Sequence, residues 1–424
     1  MKNTLRFIGA FCLVFCLIAL PVFAGGKSQS ASGSGGTTTL TFYSLAEWVA
    51  SEPYKAAYDA AKAEFERTHP GFRIELQSDP WNDWQAKCKT MFAAGNPADI
   101  MLVNNPDFPG FANSGYLLEL ENYVDSGYFK DFFPGVLEMY TWRGKYLGFP
   151  NSTGVKILWY NKDLFRQAGL DPEKPPTTWA ELVSYATAIT QKTGKYGFGM
   201  DLALQYFPTE SLYDTTGDYV LKVDSSGKVT SNVNTPTFKA YLQCLLDLKP
   251  SFQPDFAVTE YHDASRLFRE GQVGIIFHGT LLETDIYTRN FPYGQALIPK
   301  QTASGQTASY AGGFCLAVSK QTKAPKEAVE FAQLLCSPKY NAASISDPPA
   351  SNAALAAWEY AKDPRLAVFM EQMKTGRRAQ PTTMYYNEVE AAIRDTVVDV
   401  LVNGRGIDAA VADLDRKVIQ IVSN

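Results

Sequence analysis

Apolar and polar positions alternate with two different periods along the chain, and together these periods predict strands that alternate with helices. Thr39–Tyr43 is a short apolar run typical of a buried strand, and apolar residues then recur on one helical face as far as Phe65. Phe72–Leu76 alternates like a second strand, a helix is predicted over 82–94, and Asp99–Val103 predicts a third strand. This order is typical of an α/β protein whose parallel sheet is covered on both faces.

The later part of the chain continues with the same kinds of element. Val155–Tyr160 and Gly274–Phe277 are strand-like, and Thr178 is expected to begin a helix. Asn387–Val422 predicts two or three consecutive helices, interrupted around Gly404. No repeat of fixed period is visible in the sequence.

The first 36 residues follow a different pattern, which predicts an export signal. Lys2 and Arg6 precede an apolar run over 7–20, and Val22 and Ala24 are the small residues that a signal-peptide cleavage site needs. That run is too short to span a bilayer comfortably. Residues 25–37 are rich in Gly and Ser and predict a flexible linker, so we expect a folded body that works in the periplasm.

A lipid anchor is the alternative export signal. It requires a cysteine behind a small residue, whereas Cys12 and Cys16 both follow phenylalanine inside the apolar run. The sequence therefore favours a signal peptide over 1–24, cleaved after Ala24, with release of the remaining chain.

Length and charge limit the possible classes of protein. Removal of 24 residues from 424 leaves 400, which is enough for more than one hydrophobic core. Loss of Lys2 and Arg6 reduces 39 basic residues to 37 against 44 acidic ones, a formal charge of −7. This acidic balance disfavours nucleic acid and anionic membranes as partners.

Four cysteines remain after the predicted cleavage, namely Cys88, Cys244, Cys315 and Cys336. Their spacing contains no CxxC pair, and their density is far below that of a disulfide scaffold, so neither a metal site nor a redox motif is predicted. Pairing in the periplasm and buried free thiols both remain open.

A series of short segments, spread over nearly the whole mature chain, carries a resemblance to a known family. In order they are Phe65–Arg67 with His69–Gly71, Ala94–Ile100, Gly115–Leu120, Gly144–Pro150, Trp159–Phe165, Ala168–Leu170, Pro176–Trp179, Phe268–Gly274, Gly312–Ser319 and Lys362–Arg365. Taken together they resemble the extracellular solute-binding proteins of sugar ABC transporters, of the maltose-binding type. No one segment is decisive, and their shared order carries the resemblance.

The resemblance implies a two-lobed α/β periplasmic-binding-protein fold with a hinge that the chain crosses three times. The crossings are expected near 152–157, 310–316 and 361–365. The N-terminal lobe is then predicted over 38–152 and 315–361, and the C-terminal lobe over 153–314 and 362–424. In such proteins the ligand lies between the lobes, which close around it by a hinge motion.

A sugar offers flat C–H faces and a ring of hydroxyls, so its site needs aromatic rings and side chains that donate and accept hydrogen bonds. In open α/β sheets such groups lie beyond the carboxyl ends of strands. Glu47 and Trp48 follow the first predicted strand, and Asn104, Asn105 and Asp107 follow the third. These five residues are candidate ligand contacts, although a capping Glu, a packed Trp and a turn would explain them equally simply.

Further candidates come from the expected hinge and the second lobe. Asn151 stands at the first crossing, and the resemblance places an aromatic platform at Tyr206, with Glu210 close by. His278 follows a predicted strand, where a neutral ring would donate a hydrogen bond to a hydroxyl rather than bind a metal. Gly154 stands where maltose-binding members commonly have a carboxylate, which disfavours maltodextrin as the ligand.

The last candidates lie late in the chain. Gly312 and Gly313, at the second crossing, would let backbone amides approach a ligand or serve the hinge alone. The resemblance implies late contacts from Arg378 and Tyr385, and an arginine there could also lie on a solvated face. Trp81 and Trp84 are expected to be packing residues near the rim of the cleft.

The resemblance thus implies a monomeric periplasmic protein that binds a sugar or oligosaccharide and delivers it to the permease subunits of an ABC importer, without a cofactor or metal. Another small polar ligand, such as glycerol phosphate or a polyamine, is the first alternative. An extracellular polysaccharide-active enzyme is the second, although no HExxH, GxSxG, P-loop or GxGxxG motif is present.

Overall fold

The strands at the start of the folded body pair in parallel, as the spacing of apolar runs predicts. The computed structural model describes residues 37–202, 209–258, 261–281, 285–343, 347–377 and 383–423. Within them, β1 pairs in parallel with both β2 and β3, and Phe42 lies opposite Ile100. The α/β class is confirmed.

The strands and helices of the described residues follow in chain order. The strands are β1 Thr38–Leu45, β2 Phe72–Asp79, β3 Ile100–Asn104, β4 Thr141–Trp142, β5 Lys145–Tyr146, β6 Phe149–Val155, β7 Ile157–Asn161, β8 Tyr196–Phe198, β9 Leu221–Val223, β10 Val229–Ser231, β11 Val273–His278, β12 Tyr293–Ala296, β13 Ser309–Val318 and β14 Gly376–Arg377. The helices are α1 Ala46–Val49, α2 Glu52–Thr68, α3 Trp81–Ala93, α4 Phe108–Asn113, α5 Pro134–Met139, α6 Lys162–Gln167, α7 Trp179–Thr193, α8 Glu210–Asp214, α9 Pro236–Leu248, α10 Tyr261–Arg269, α11 Pro325–Leu335, α12 Pro338–Asn341, α13 Asn352–Ala357, α14 Ala367–Met373, α15 Tyr386–Leu401 and α16 Ile407–Ser423. None of these helices is both long enough and apolar enough to span a bilayer.

Two separate sheets organise these elements. The first has the order β14-β13-β3-β1-β2, with β6 also paired to β13, and the second has the order β12-β7-β11-β8. Both sheets are mixed rather than wholly parallel, because β13 runs antiparallel to β3 and β6, and β7 runs antiparallel to β11 and β12. Strands β3 and β11 are buried along their whole length, as expected for strands covered on both faces.

Local chemistry explains where the helices begin and end. The Thr178 hydroxyl accepts from the Glu181 N–H, and the Glu181 carboxylate accepts from the Thr177 N–H at 2.7 Å, so the first turn of α7 is capped reciprocally. Gly194 then ends this helix with a φ of 68°, a left-handed conformation that a glycine adopts without strain. The predicted helix start at Thr178 is confirmed.

Hydrophobic packing forms two large cores. In one, Phe42, Phe65 and Phe331 pack edge to face between α2, α11 and the first sheet. In the other, Tyr213, Phe238 and other rings pack beneath α9, α15 and α16. The prediction of more than one core is confirmed, and the predicted break near Gly404 separates α15 from α16.

The first two predicted crossings lie side by side as paired strands. Ala311 lies opposite Val155, Gly312 opposite Gly154 and Gly313 opposite Thr153, so β6 and β13 are hydrogen-bonded neighbours. The chain then leaves the first sheet at the end of β6 and enters the second at the start of β7, across the one residue Lys156. Two paired strands thus lie where the chain passes between the sheets, while the predicted lobe boundaries remain a prediction.

The close pairing of these strands requires a glycine at position 313. A Cβ atom at Gly313 would lie 2.1 Å from the Ser152 carbonyl oxygen, far inside van der Waals contact. The Gly313→Ala substitution is therefore expected to lower the free energy of unfolding by about 1–3 kcal/mol, through overpacking of the strand pair. Urea denaturation would measure this change.

Gly71 provides the matched control, since a Cβ atom there meets nothing within 4 Å and its backbone is not left-handed. Gly71→Ala should leave the urea midpoint nearly unchanged. Equal effects of the two substitutions would show that β6 and β13 do not pack as closely as described.

The four cysteines of the folded body are buried free thiols. Burial raises the pKa of Cys244 and of Cys336 to about 12, and it raises the pKa of Cys88 and Cys315 as well. Because the thiolate is the reactive form, none of the four should react readily in the native state.

A colorimetric thiol titration at pH 8 tests this expectation. The native mature chain should show almost no reactive thiol, and the chain unfolded in guanidinium without a reductant should show all four. Fewer than four thiols after unfolding would reveal a disulfide, and rapid reaction before unfolding would contradict the burial.

Candidate functional site

An aromatic cluster lies on the first-sheet side of the hinge strands. Phe314, in β13, has its ring centroid 4.9 Å from that of Trp48, and 6.0 and 6.1 Å from those of Trp81 and Trp84. We call these four residues the aromatic wall. Trp48 and Trp84 are buried, whereas Trp81 and Phe314 are only partly buried, so the last two rings could contact a ligand.

The arrangement of this wall is set by the start of α3. The Glu47 carboxylate accepts a hydrogen bond from the Trp81 N–H at 3.1 Å, so Glu47 ties α1 to the first turn of α3. The Trp84 indole N–H is buried and has no hydrogen-bond partner among the described residues. Glu47 thus has a structural contact, and a role for it in ligand binding remains a prediction.

Asn104 and Asn105, predicted as ligand contacts, lie at the end of β3 beside the hinge strand β13. The Asn105 side-chain oxygen accepts from the Gly313 N–H at 3.3 Å and lies 3.5 Å from the Tyr310 hydroxyl. Its side-chain nitrogen is buried, and the described residues provide no partner for it. Asn104 precedes it at the end of β3, opposite Phe314, and is also buried. The amide of Asn105 therefore carries a spare donor at the junction of the two sheets.

Asp107 connects distant parts of the chain. Its carboxylate accepts from the Asn387 amide on α15 at 2.8 Å and lies 2.9 Å from the Lys89 ammonium on α3. Because α15 belongs to the core beneath the second sheet, the bond to Asn387 joins the two sides of the hinge. The side chain is buried despite its charge, as an anion with an ion pair and amide donors can be.

Lys156 is the one residue between β6 and β7, and its charge interacts with those of several carboxylates. Its backbone N–H donates to the Ser309 hydroxyl at 2.9 Å, and that hydroxyl donates back to the Lys156 carbonyl at 2.6 Å. Its ammonium lies 5.9 Å from the centroid of the Tyr310 ring. Burial lowers the pKa of Lys156, and the charges of Asp201, Glu210, Glu390 and Asp214 act in the opposite direction.

Helix α8 brings two of these carboxylates to the hinge. The Ser211 hydroxyl accepts from the Tyr310 N–H at 3.2 Å and lies 3.3 Å from the Ser309 hydroxyl, so α8 docks on the first residues of β13. Glu210 and Asp214 occupy the ends of this helix and are both buried. The Arg377 guanidinium lies 4.0 Å from the Asp214 carboxylate.

Three further predicted residues lie on β13, at the end of β11 and just before α15. Gly312 leaves space that the Tyr310 ring fills, since a Cβ atom there would lie 2.6 Å from the ring. His278 ends β11 opposite Ile157 and is buried. Tyr385 is the half-buried residue before α15.

Asn151 has a different environment. Its side-chain nitrogen lies 3.7 Å from the Cys336 sulfur, and it lines a small cavity with Tyr54, Tyr58 and Tyr340, between β6, α2 and α12. The predicted ligand contacts Tyr206 and Arg378 lie outside the described residues.

Sequence reasoning missed several residues at the junction. They are Lys156, Asp201, Ser211, Asp214, Tyr310, Phe314, Asn387 and Glu390. For Lys156 a signal was available, because a single lysine between two apolar strand runs stands at the predicted first crossing. The carboxylate of Glu390 had no such signal, since one acidic residue in an amphipathic helix is normally solvated.

The environment of Asp201 makes stability depend on pH. Burial raises the pKa of Asp201 from an ordinary 3.8 to about 7, and the charge of Lys156 opposes the rise. Between these values the folded state holds a proton that the unfolded state has lost. The resulting stabilisation is complete below the lower value and is lost as the pH rises through the upper one.

The wild type should therefore lose stability as the pH rises from about 5 to about 8, and Asp201→Asn should not. The difference in unfolding free energy between variant and wild type should shift by about 2 kcal/mol in favour of the variant over this range. Urea denaturation at several pH values would measure it. The control is Asp408→Asn, at a side chain that is 88% exposed, for which the difference should stay constant. A flat difference for Asp201→Asn would mean that its pKa is not raised.

Comparison with known proteins shows the family to which this chain belongs. Residues 49–342, well over half of the chain, match the family model described as bacterial extracellular solute-binding protein. A binding protein of Brucella abortus (strain 2308) is 28% identical over 283 residues, which are 64% of this chain and 65% of that protein. The match therefore spans just under two thirds of that relative's length.

Two further proteins illustrate the range of similar sequences and structures. The sn-glycerol-3-phosphate-binding periplasmic protein of the same organism is 26% identical over 235 residues, 52% of each chain. The solved structure of the sugar-binding protein MalE from Xanthomonas citri superposes with a TM-score of 0.75 at 24% identity. The superposition covers 91% of this chain and 98% of that one, which confirms the two-lobed fold.

Proposed function

This chain belongs to the family of bacterial extracellular solute-binding proteins, and from that membership we propose that it captures a saccharide between its lobes and delivers it to an ABC importer. The proposal includes export to the periplasm with cleavage after Ala24, a monomeric state and no cofactor. The relatives' own ligands differ, so the ligand of this chain has to be argued from its site.

The proposal is supported by buried polar atoms that lack a hydrogen-bond partner and by aromatic rings that are partly exposed. The side-chain nitrogen of Asn105 and the indole N–H of Trp84 are buried donors without a partner in the described part of the chain, and one oxygen of Asp201 is a buried acceptor in the same situation. Trp81 and Phe314 present ring surface nearby. A sugar supplies acceptors and donors on its hydroxyls and a flat C–H face for the rings.

Closure of the lobes follows from the paired hinge strands. A ligand shifts the equilibrium to the closed form only as far as it binds that form more tightly. The bond between Asp107 and Asn387 joins the two sides and would help to hold the closed form. The permease would recognise the closed form and thereby distinguish loaded from empty protein.

A phosphate-bearing ligand is less compatible with this site, although one relative binds glycerol 3-phosphate. An anion of that kind needs converging cationic groups. The charge of Lys156 instead interacts with those of four carboxylates, and Arg377 lies 4.0 Å from one of them. Catalysis is likewise not part of the proposal, and incubation with oligosaccharides followed by product analysis should show no cleavage.

Thermal unfolding of residues 25–424 across a panel of saccharides, glycerol 3-phosphate and polyamines tests the function. A ligand at about 100 times its dissociation constant should stabilise the folded state by roughly 2.7 kcal/mol. The Phe314→Ala substitution removes a ring of the aromatic wall and should weaken saccharide binding about tenfold, which corresponds to roughly 1.4 kcal/mol.

Tyr123→Ala, at an exposed ring outside the aromatic wall, is the matched control and should bind normally. Stabilisation by glycerol 3-phosphate alone would contradict the saccharide assignment. Saccharide binding that Phe314→Ala leaves unchanged would place the ligand away from the aromatic wall.

A further inference from the structure

The carboxylate of Asp107, shortly after β3, receives donors from two helices. Asp107 is 5% exposed. One carboxylate oxygen accepts from the Asn387 side-chain amide at 2.8 Å and lies 2.9 Å from the Lys89 ammonium, and the Gln85 side-chain nitrogen lies 3.4 Å from the other oxygen. Burial of an unpaired charge is costly, and these donors satisfy the Asp107 carboxylate without a ligand.

These donors come from opposite sides of the hinge. Gln85 and Lys89 lie on α3, which packs on β1 and β2 of the first sheet. Asn387 lies in the first turn of α15, which packs on α9 and α16 in the core beneath the second sheet. When the two sides move apart about the hinge strands, Gln85 and Lys89 therefore stay with Asp107, and the bond to Asn387 has to break.

We infer that Asp107 and Asn387 form a latch between the lobes, which sets the affinity for every ligand of the cleft without touching the ligand. Asp107 is then a positioning residue rather than the ligand contact that the sequence predicts. This inference rests on the proposed function, since it assigns a regulator to the same cleft.

A latch of this kind changes affinity through the population of the closed form. The apparent dissociation constant is the intrinsic constant divided by the fraction of protein that is competent to bind. A bond that exists only in the closed form raises that fraction, and while the open form predominates it does so by the same factor for every ligand. A residue that contacts the ligand instead changes affinity by a factor that depends on the ligand's own groups.

The size of the effect follows from the donors that remain in the open form. Because Lys89 stays beside Asp107, opening costs one charge-assisted hydrogen bond and does not leave the carboxylate unpaired. Loss of one bond of this type changes an equilibrium constant by roughly tenfold or more. Loss of the latch should therefore weaken binding by at least about tenfold, mainly through faster dissociation.

Isothermal titration of residues 25–424 with maltose, trehalose, cellobiose and glycerol 3-phosphate tests the latch. Asn387→Asp keeps the shape of the side chain and places a second carboxylate against Asp107, so repulsion replaces the bond in the closed form. Each sugar that the wild type binds should bind this variant at least about tenfold more weakly, by a common factor. Combination with Asp107→Asn exchanges donor and acceptor, and it should restore each affinity to within about threefold of the wild type.

Asn403→Asp is the matched control. The Asp399 carboxylate accepts from the Asn403 side-chain amide at 2.9 Å and lies 3.4 Å from the Arg405 guanidinium, so an amide, a carboxylate and a cation meet there as they do at Asp107. All three residues lie in the last turn of α15 or just after it, on one side of the hinge, and this substitution should leave every affinity unchanged. Urea denaturation of each variant without ligand would show that it folds.

The possible outcomes separate this inference from the proposed function. Sugar binding that Asn387→Asp leaves unchanged, or that the exchanged pair fails to restore in a folded protein, would overturn the latch and leave saccharide capture intact. A loss confined to one of several bound sugars would make Asn387 a ligand contact and would likewise overturn it. Binding of glycerol 3-phosphate alone would contradict the saccharide assignment, while the same loss and recovery with that compound would still support the latch. Binding of none of the compounds by the wild type would overturn both.

Discussion

The antiparallel pairing of β6 with β13 is the constraint on which the rest of this structure depends. These strands carry the chain between two sheets and hold their edges together, and Gly313 permits the approach because any side chain would meet the Ser152 carbonyl. Trp48 and Trp84 pack on Phe314 of β13, Asn105 accepts from its Gly313 N–H, and α8 docks on its first residues. The site is therefore assembled around a strand that also acts as the hinge.

Electrostatics give this junction its chemical character. Most ion pairs in the described residues lie at exposed positions, where they contribute little to stability. Glu210, Asp214 and Glu390 differ because they are buried, so the free energy of each charge depends on its neighbours. The charges at the junction therefore influence stability more than those at the surface.

Much of the fold could be predicted because it depends on local patterns. The first strand, the α7 start at Thr178 and the break between α15 and α16 all follow from apolar periodicity and capping residues, which act over a few positions. The mixed direction of the sheets was not predicted, because the direction of β13 relative to β3 depends on which lobe the chain returns from. The candidate site divided in the same way. Residues directly after strands, such as Asn105 and Asp107, were predicted as candidates, whereas Glu390 on a helix was not.

The sequence by itself determined the class of fold, the order of its elements, the export signal pattern and the family resemblance, because each of these is written in short runs or in their order. Only the tertiary structure decided that Asn151 lines a cavity beside Cys336, that Asp107 bonds with Asn387, and that the charges of four distant carboxylates act on Lys156. These contacts join residues more than 40 positions apart, and their free energy depends on burial and on neighbouring charge. Burial and neighbouring charge are both set only when the two sheets pack against the hinge strands.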